Sequence, residues 1–391
     1  MRIVIVFLIA LLSKTMYAQD FNYEEDKVGT YELPELLITL NGKKVKNKAD
    51  WENMRREEVI GLFQEHIYGK VPTDFDRIEF HVIQEDPSAM NGDAYLKEIN
   101  ISVFRNNASV SIHLILFTPN HKKNAVPAFL LINNRSVRNT SPSRDTISDF
   151  WPAEKIIQAG YAIASFQVND AAPDNKDTFQ NGMLHLYPEL LDKDDGIKTI
   201  GAWAWAASRV MDYFEKDDAV NAEKTALIGH SRGGKAALWA AAEDARFGIC
   251  IANNSGNTGA ALSRRNFGET VQRINTKFPH WFNDNYKKYN NKESLLPVDQ
   301  HMLIALIAPR PVYITSASED LWADPKGMFL ALKNAEPVYE LYDRKSTVPE
   351  KHPKPNRPIY RSPLGYHIRE GEHNLTEYDW TQFIKFVDFH F

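Results

Sequence analysis

Residues 225–240 read TALIGHSRGGKAALWA. A short apolar run containing Leu227 and Ile228 leads into Gly229-His230-Ser231-Arg232-Gly233, and an Ala/Leu/Trp helix pattern follows without interruption. This order predicts a buried strand, a sharp turn and a helix, with Ser231 exposed at the apex of the turn. Small residues are required two before and two after such a serine, because a side chain there would collide with the adjoining strand or helix. A bare G-x-S-x-G arises often by chance; the strand before it and the helix after it give this one its meaning. Ser231 is therefore the candidate nucleophile.

Working outward, the flanking segments predict a sheet around that strand. Residues 127–133 (PAFLLIN) and 161–167 (YAIASFQ) are continuous apolar runs with a helix pattern between them, as buried parallel strands require. The segments EFHVIQE, INISVFRN and VSIHLILFTP (79–85, 99–106 and 110–119) alternate in the manner of an antiparallel start to the sheet. Residues 196–215 predict a long helix before the elbow strand, and GICIAN, PVYITSA and VYELYD predict three strands after it. Residues 51–69 have apolar spacings near three and four and end at Gly69, which predicts an amphipathic helix on the domain edge. Strands alternating with helices imply a mostly parallel sheet covered on both faces, the three-layer α/β/α sandwich of an α/β-hydrolase.

In such a sheet the partners of the serine come from loops at the carboxyl ends of later strands, in the order acid then histidine. Asp320 follows PVYITSA, and His373 lies in YHIREGEHNLTEYDW near the C-terminus. The histidine would accept the serine proton, and the aspartate would fix its tautomer and stabilise the imidazolium. His367 is the alternative base, and Glu319 and Asp324 compete with Asp320 for the acid. A solvated loop carboxylate or a structural histidine is the bland reading of each.

The chain opens MRIVIVFLIALLSKTMYAQD, with Arg2, an apolar stretch from Ile3 to Leu12, and Ala18 before Gln19. Residues 1–18 read as a cleavable signal peptide, too short in apolar length to span a bilayer, leaving 19–391 as one catalytic domain. The expectation is an exported protein, periplasmic or secreted, in which no internal disulfide can form, since Cys250 is the only cysteine. The net charge of −5 becomes about −7 without Arg2 and Lys14. With no basic run, neither nucleic acid nor an anionic membrane is an expected partner, and a monomer is the default. Residues 256–305 predict no strand, and they are rich in Arg, Asn, Phe and Trp. They read as a substrate-facing insertion whose cluster Phe278, His280, Trp281 and Phe282 stacks on a ring of the substrate or forms the insertion's own small core.

More of the chain carries a resemblance. The runs GHSRGGKAALWAA, NNSGNTGAALSRRNFGE, INTKFPHWF, EDLWADPKG and GEHNLT, with LPELLI and WENMRREEVIGLFQEHIYGKVP toward the N-terminus, resemble the glucuronoyl esterases of carbohydrate esterase family 15. The resemblance covers nearly the whole mature chain. It implies hydrolysis of 4-O-methyl-glucuronoyl esters joining xylan to lignin alcohols, with no metal or organic cofactor. It matches Ser231 to the nucleophile and Arg232 to an arginine that reaches the oxyanion. That role is physically sensible, since a fixed cation there stabilises a tetrahedral intermediate. It also matches Lys235, Glu269 and Trp322 to residues that bind the sugar, the first two through its hydroxyls and Trp322 as an apolar face. A snorkelling lysine, a surface carboxylate and an ordinary core tryptophan are the plain alternatives.

One departure stands out. Many members of that family place the acid as a glutamate in an E-S-G run after the strand that follows the elbow helix; here the run is Asn253-Asn254-Ser255-Gly256. Asn254 carries no negative charge, so the expected triad is Ser231, His373 and Asp320. An acetyl-xylan or other carboxylesterase on the same fold is the rival activity, and a catalytically impaired carbohydrate-binding homologue is the rival from outside the enzymes.

Overall fold

The computed structural model describes residues 21–391, so the leader expected at 1–18 lies outside the described residues. Nine strands form one mixed sheet in the order β1-β2-β3-β5-β4-β6-β7-β8-β9. β1 (Arg77–Ala89), β2 (Ala94–Arg105) and β3 (Ala108–Pro119) make an antiparallel meander, and β3 also runs antiparallel to β5 (Ala162–Gln167). From β5 onward every pairing is parallel, through β4 (Val126–Asn133), β6 (Val220–His230), β7 (Ile249–Asn253), β8 (Val312–Ala317) and β9 (Leu364–Arg369). The α/β sandwich expected from the sequence is the observed fold.

The pleat of the central strands explains why their sequence is apolar without alternation. On β6, Leu227 enters one buried cluster while Ala226 and Ile228 enter the cluster on the opposite face; Cys250 and Ile251 divide in the same way on β7. Both faces are covered by helices, so neither face can be polar. The helices Thr199–Phe214 and Arg232–Glu243 lie on one side, where Trp203, Trp205 and Trp239 are fully buried. The C-terminal helix Glu377–His390 and Trp151 close the other. The residues from Lys48 to Tyr68 are helical throughout and stop at Gly69, whose φ of 76° suits glycine.

The sequence reading fails at VYELYD. Glu336–Glu340 is a short helix that begins with a proline at its first turn, directly after the helix Pro325–Asn334. Pro337 cannot donate to a ladder but fits a helix start, and Val338 and Tyr339 are buried by helix packing. The last strand is instead β9, LGYHIR, which the sequence reading did not assign to a strand.

Candidate active site

The elbow is built as its sequence requires. Ser231 has φ 57° and ψ −126°, a conformation that costs energy for any residue with a Cβ. Its amide donates to Asn253 O at 2.8 Å, which ties the strained turn to β7. A Cβ on Gly229 would lie 2.0 Å from Gly233 O, and one on Gly234 would lie 2.9 Å from the Ser255 Cβ. Strand and helix can approach this closely only through glycine.

Four consecutive parallel strands end at the same edge of the sheet and deliver Ser231 (after β6), Asn254 (after β7), Asp320 (after β8) and His373 (after β9). All four side chains line one cavity of about 590 Å³. His373 Nδ1 lies 2.6 Å from Asp320 Oδ2, and Asp320 is buried while the histidine is part exposed. An Nδ1–H donated to the carboxylate leaves Nε2 unprotonated and able to accept a proton.

The rival residues are committed elsewhere. His367 is fully buried on β9 between the Tyr313 hydroxyl at 3.0 Å and Asp379 at 2.8 Å. Asp324 pairs with Arg265 and caps the helix Pro325–Asn334, and Glu319 is exposed. Asn254 sits in the left-handed region at φ 46°, its amide bound to Thr315 O at 2.9 Å. Neither polar atom of its buried side chain has a partner among the described residues. No hydrogen bond joins it to His373, so an acid-like role would lack both the charge and the contact.

Arg232 begins the elbow helix, where the first backbone amides have no partner within the helix. Its guanidinium reaches over the rings of Trp281 at 4.9 Å and Phe278 at 5.5 Å, and Nη1 donates to Asp174. Nε is buried with no acceptor among the described residues. Asp174 also accepts from Trp281 Nε1 at 2.7 Å and from His280 Nε2 at 3.0 Å. Burial pushes the Asp174 carboxyl up, but the hydrogen bonds and the Arg232 charge outweigh it and hold the pKa at about 2. Asp174 was not anticipated: it stands in the polar run APDNKD, and nothing in that composition separates it from a solvated loop.

Lys235, one turn into the helix, is buried and donates to Glu269 at 2.9 Å and to Asn257 O. Burial draws its pKa down from the ordinary lysine range, and Glu269 opposes that shift. Trp322 packs edge-on against Phe21 at 4.8 Å, and Lys235, Glu269 and Trp322 all line the cavity with Ser231. The aromatic cluster divides: Phe278 and Trp281 stack at 3.8 Å on the cavity wall, His280 holds Asp174, and Phe282 turns into the core against Tyr68 and Tyr286. Beneath the site, His230 lies between Arg135 and Asn253 with its ring 4.6 Å from that of His373; burial first, and the His373 charge second, hold its pKa well below the usual histidine value. No group of three or more metal-binding side chains occurs among the described residues.

A family model described as "Glucuronyl esterase, fungi" matches residues 101–342. "Carbohydrate esterase MZ0003", from an unknown prokaryotic organism, is 39% identical, the match covering 98% of each chain. The chain belongs to the glucuronoyl esterases of carbohydrate esterase family 15. A solved esterase of the same family from a marine bacterial metagenome superposes with a TM-score of 0.88 at 39% identity, covering 95% of this chain and 100% of the other. A solved glucuronoyl esterase from Solibacter usitatus gives 0.87 at 36%, covering 94% and 100%. This glucuronoyl esterase is accordingly a carboxylic ester hydrolase.

Proposed function

We propose that the chain hydrolyses 4-O-methyl-glucuronoyl or glucuronoyl esters of plant cell-wall xylan, through a triad of Ser231, His373 and Asp320. The observation that carries this reading is the 2.6 Å contact between His373 and Asp320 in the cavity that Ser231 lines. The Ser231 hydroxyl attacks the ester carbonyl while His373 Nε2 takes its proton, giving a tetrahedral oxyanion and an imidazolium stabilised by Asp320. The Arg232 backbone amide and its unengaged Nε–H are the donors available to that oxyanion. Collapse expels the alcohol, which takes the proton from His373 and leaves an acyl-serine. Water then attacks the acyl carbon, giving up a proton to His373, and the uronic acid leaves as the serine oxygen recovers that proton.

Lys235 and Glu269 hold the sugar hydroxyls and Trp322 lies beside the ring. A buried polar pair suits a hydroxylated acyl group better than an acetyl, which could satisfy neither partner. The leader read at residues 1–18 supports export to the periplasm or medium, where this polymer is met. Hydrolysis of benzyl glucuronate beside 4-nitrophenyl acetate, with Ser231→Ala in parallel, tests the reading. Serine-dependent release of glucuronic acid with a higher kcat/KM than for the acetate is expected. Faster acetate turnover would favour a general carboxylesterase, and no turnover of either would leave a carbohydrate-binding protein.

A further inference from the structure

The cavity wall contains four cationic side chains, and they fall into two kinds. Arg232 is matched by Asp174, and Lys235 by Glu269. Arg273 and Lys277, one helical turn apart on Val271–Lys277, line the same cavity and have no carboxylate partner among the described residues. Arg273 is half-buried, its guanidinium 5.4 Å from the Phe21 ring and 6.0 Å from that of Trp322 and without a hydrogen-bond acceptor among the described residues. The contrast with its neighbours is sharp: Arg264 pairs with Asp299, and Arg265 with Glu25 and Asp324. Two like charges at this spacing repel each other in the helix. In a chain of net charge −5, unmatched positive charge is thus gathered at the cavity.

A neutral sugar ester does not use that charge. We infer that Arg273 and Lys277 form a subsite for an anionic substituent, a carboxylate or a sulfate, on a sugar of the polymer adjoining the esterified residue. The inference rests on the carbohydrate-ester reading of the site. Arg273 supplies a planar fork of donors that matches either anion, and Trp322 at its side gives an apolar face on which a sugar ring can lie. Lys277, exposed at the rim, adds a point charge that draws an anionic chain toward the cavity.

Calorimetric titration of the Ser231→Ala protein tests this with a tetramer of glucuronate, xylotetraose and O-sulfated xylotetraose, at low and high ionic strength. At low salt an anionic oligomer should bind about tenfold more tightly than xylotetraose, the scale of two partly exposed ion pairs. Salt should erase most of that preference. Adding Arg273→Gln and Lys277→Gln should abolish it, with xylotetraose binding setting the baseline. Preference for the glucuronate tetramer alone identifies a carboxylate subsite, and preference for the sulfated oligomer alone identifies a sulfate subsite. Equal binding of all three oligomers, or an anion preference that survives both substitutions, overturns the inference. Should the double substitution lower the melting temperature into the working range, Lys277→Gln alone, at an exposed position, should still weaken the preference about threefold. The titration needs no turnover, so failure of wild type to cleave benzyl glucuronate would count against the esterase reading and not against this subsite.

Discussion

Asp174 holds the guanidinium of Arg232, accepting from Nη1 while Nε–H stays buried and unengaged. His280 and Trp281 fix the carboxylate in turn, so the arginine is oriented by a network that spans the loop after β5 and the insertion. Asp174→Asn should therefore release the guanidinium without removing it. The expected result is a fall in kcat on benzyl glucuronate of roughly 10- to 100-fold with a smaller change in KM, less than the roughly 100- to 1000-fold for outright loss of one oxyanion donor because the guanidinium is released and not removed. A rise in KM alone would show that Asp174 serves ground-state binding.

The acid can be located by paired substitutions. Asp320→Asn keeps the shape but favours the wrong tautomer of His373, and should lower kcat on the order of 10³-fold or more. Asn254→Ala should cost far less, because that side chain has no hydrogen-bond partner among the described residues. Steady-state kinetics of both variants decide the matter: comparable losses would return an essential role to the position after β7.

How much of this was legible beforehand follows from the physics of each element. The elbow and central strands could be read because a doubly covered parallel strand must be apolar on both faces and a tight strand-to-helix turn must have glycines at Gly229 and Gly233. That Ser231, Asp320 and His373 would meet at the ends of neighbouring strands was legible from loop order. VYELYD was misread because four of its six residues suit a half-buried strand as well as a short helix, and the deciding residue, Pro337, lies just before the run. Asp174 was invisible because its role depends on His280, Trp281 and Arg232, brought to it from 58 to 107 positions away in sequence. The unmatched charge of Arg273 and Lys277 likewise emerges only when the pairings of their neighbours are known.

Two histidines set a pH dependence of stability. His230 is held neutral mainly by burial, and His352 is lowered to about 4, by burial first and then by Lys326 and Arg265. Their folded pKa values lie below the unfolded value near 6.5, so the unfolded chain binds more protons once the pH drops below that point. Stability should decline as the pH falls from about 6.5 toward 4. Melting temperatures across that range should fall, and His352→Phe should flatten part of the slope; a slope unchanged in that variant would refute its share.

Gly229 offers a test of the elbow independent of catalysis. A methyl group there meets Gly233 O at 2.0 Å, and both partners are backbone, so relief requires the strand and helix to separate. Gly229→Ala should destabilise by roughly 1–3 kcal/mol and lower the melting temperature accordingly. Gly61→Ala is the control, since a Cβ there meets nothing within 4 Å.

The Lys235–Glu269 pair separates binding from stability most clearly, because both residues are buried and each is the other's charge partner. Glu269→Ala leaves an uncompensated buried ammonium, a change expected to cost about 3–5 kcal/mol. Lower stability in that variant would not by itself prove a role in sugar binding. Replacing both residues, Lys235→Met with Glu269→Leu, removes the unmatched charge and should recover much of the stability. If the pair binds sugar hydroxyls, the doubly substituted enzyme should still show a KM for benzyl glucuronate raised about tenfold or more, while its kcat/KM on 4-nitrophenyl acetate changes much less. Recovery of both stability and glucuronate KM would make the pair a structural bridge between the elbow helix and the insertion.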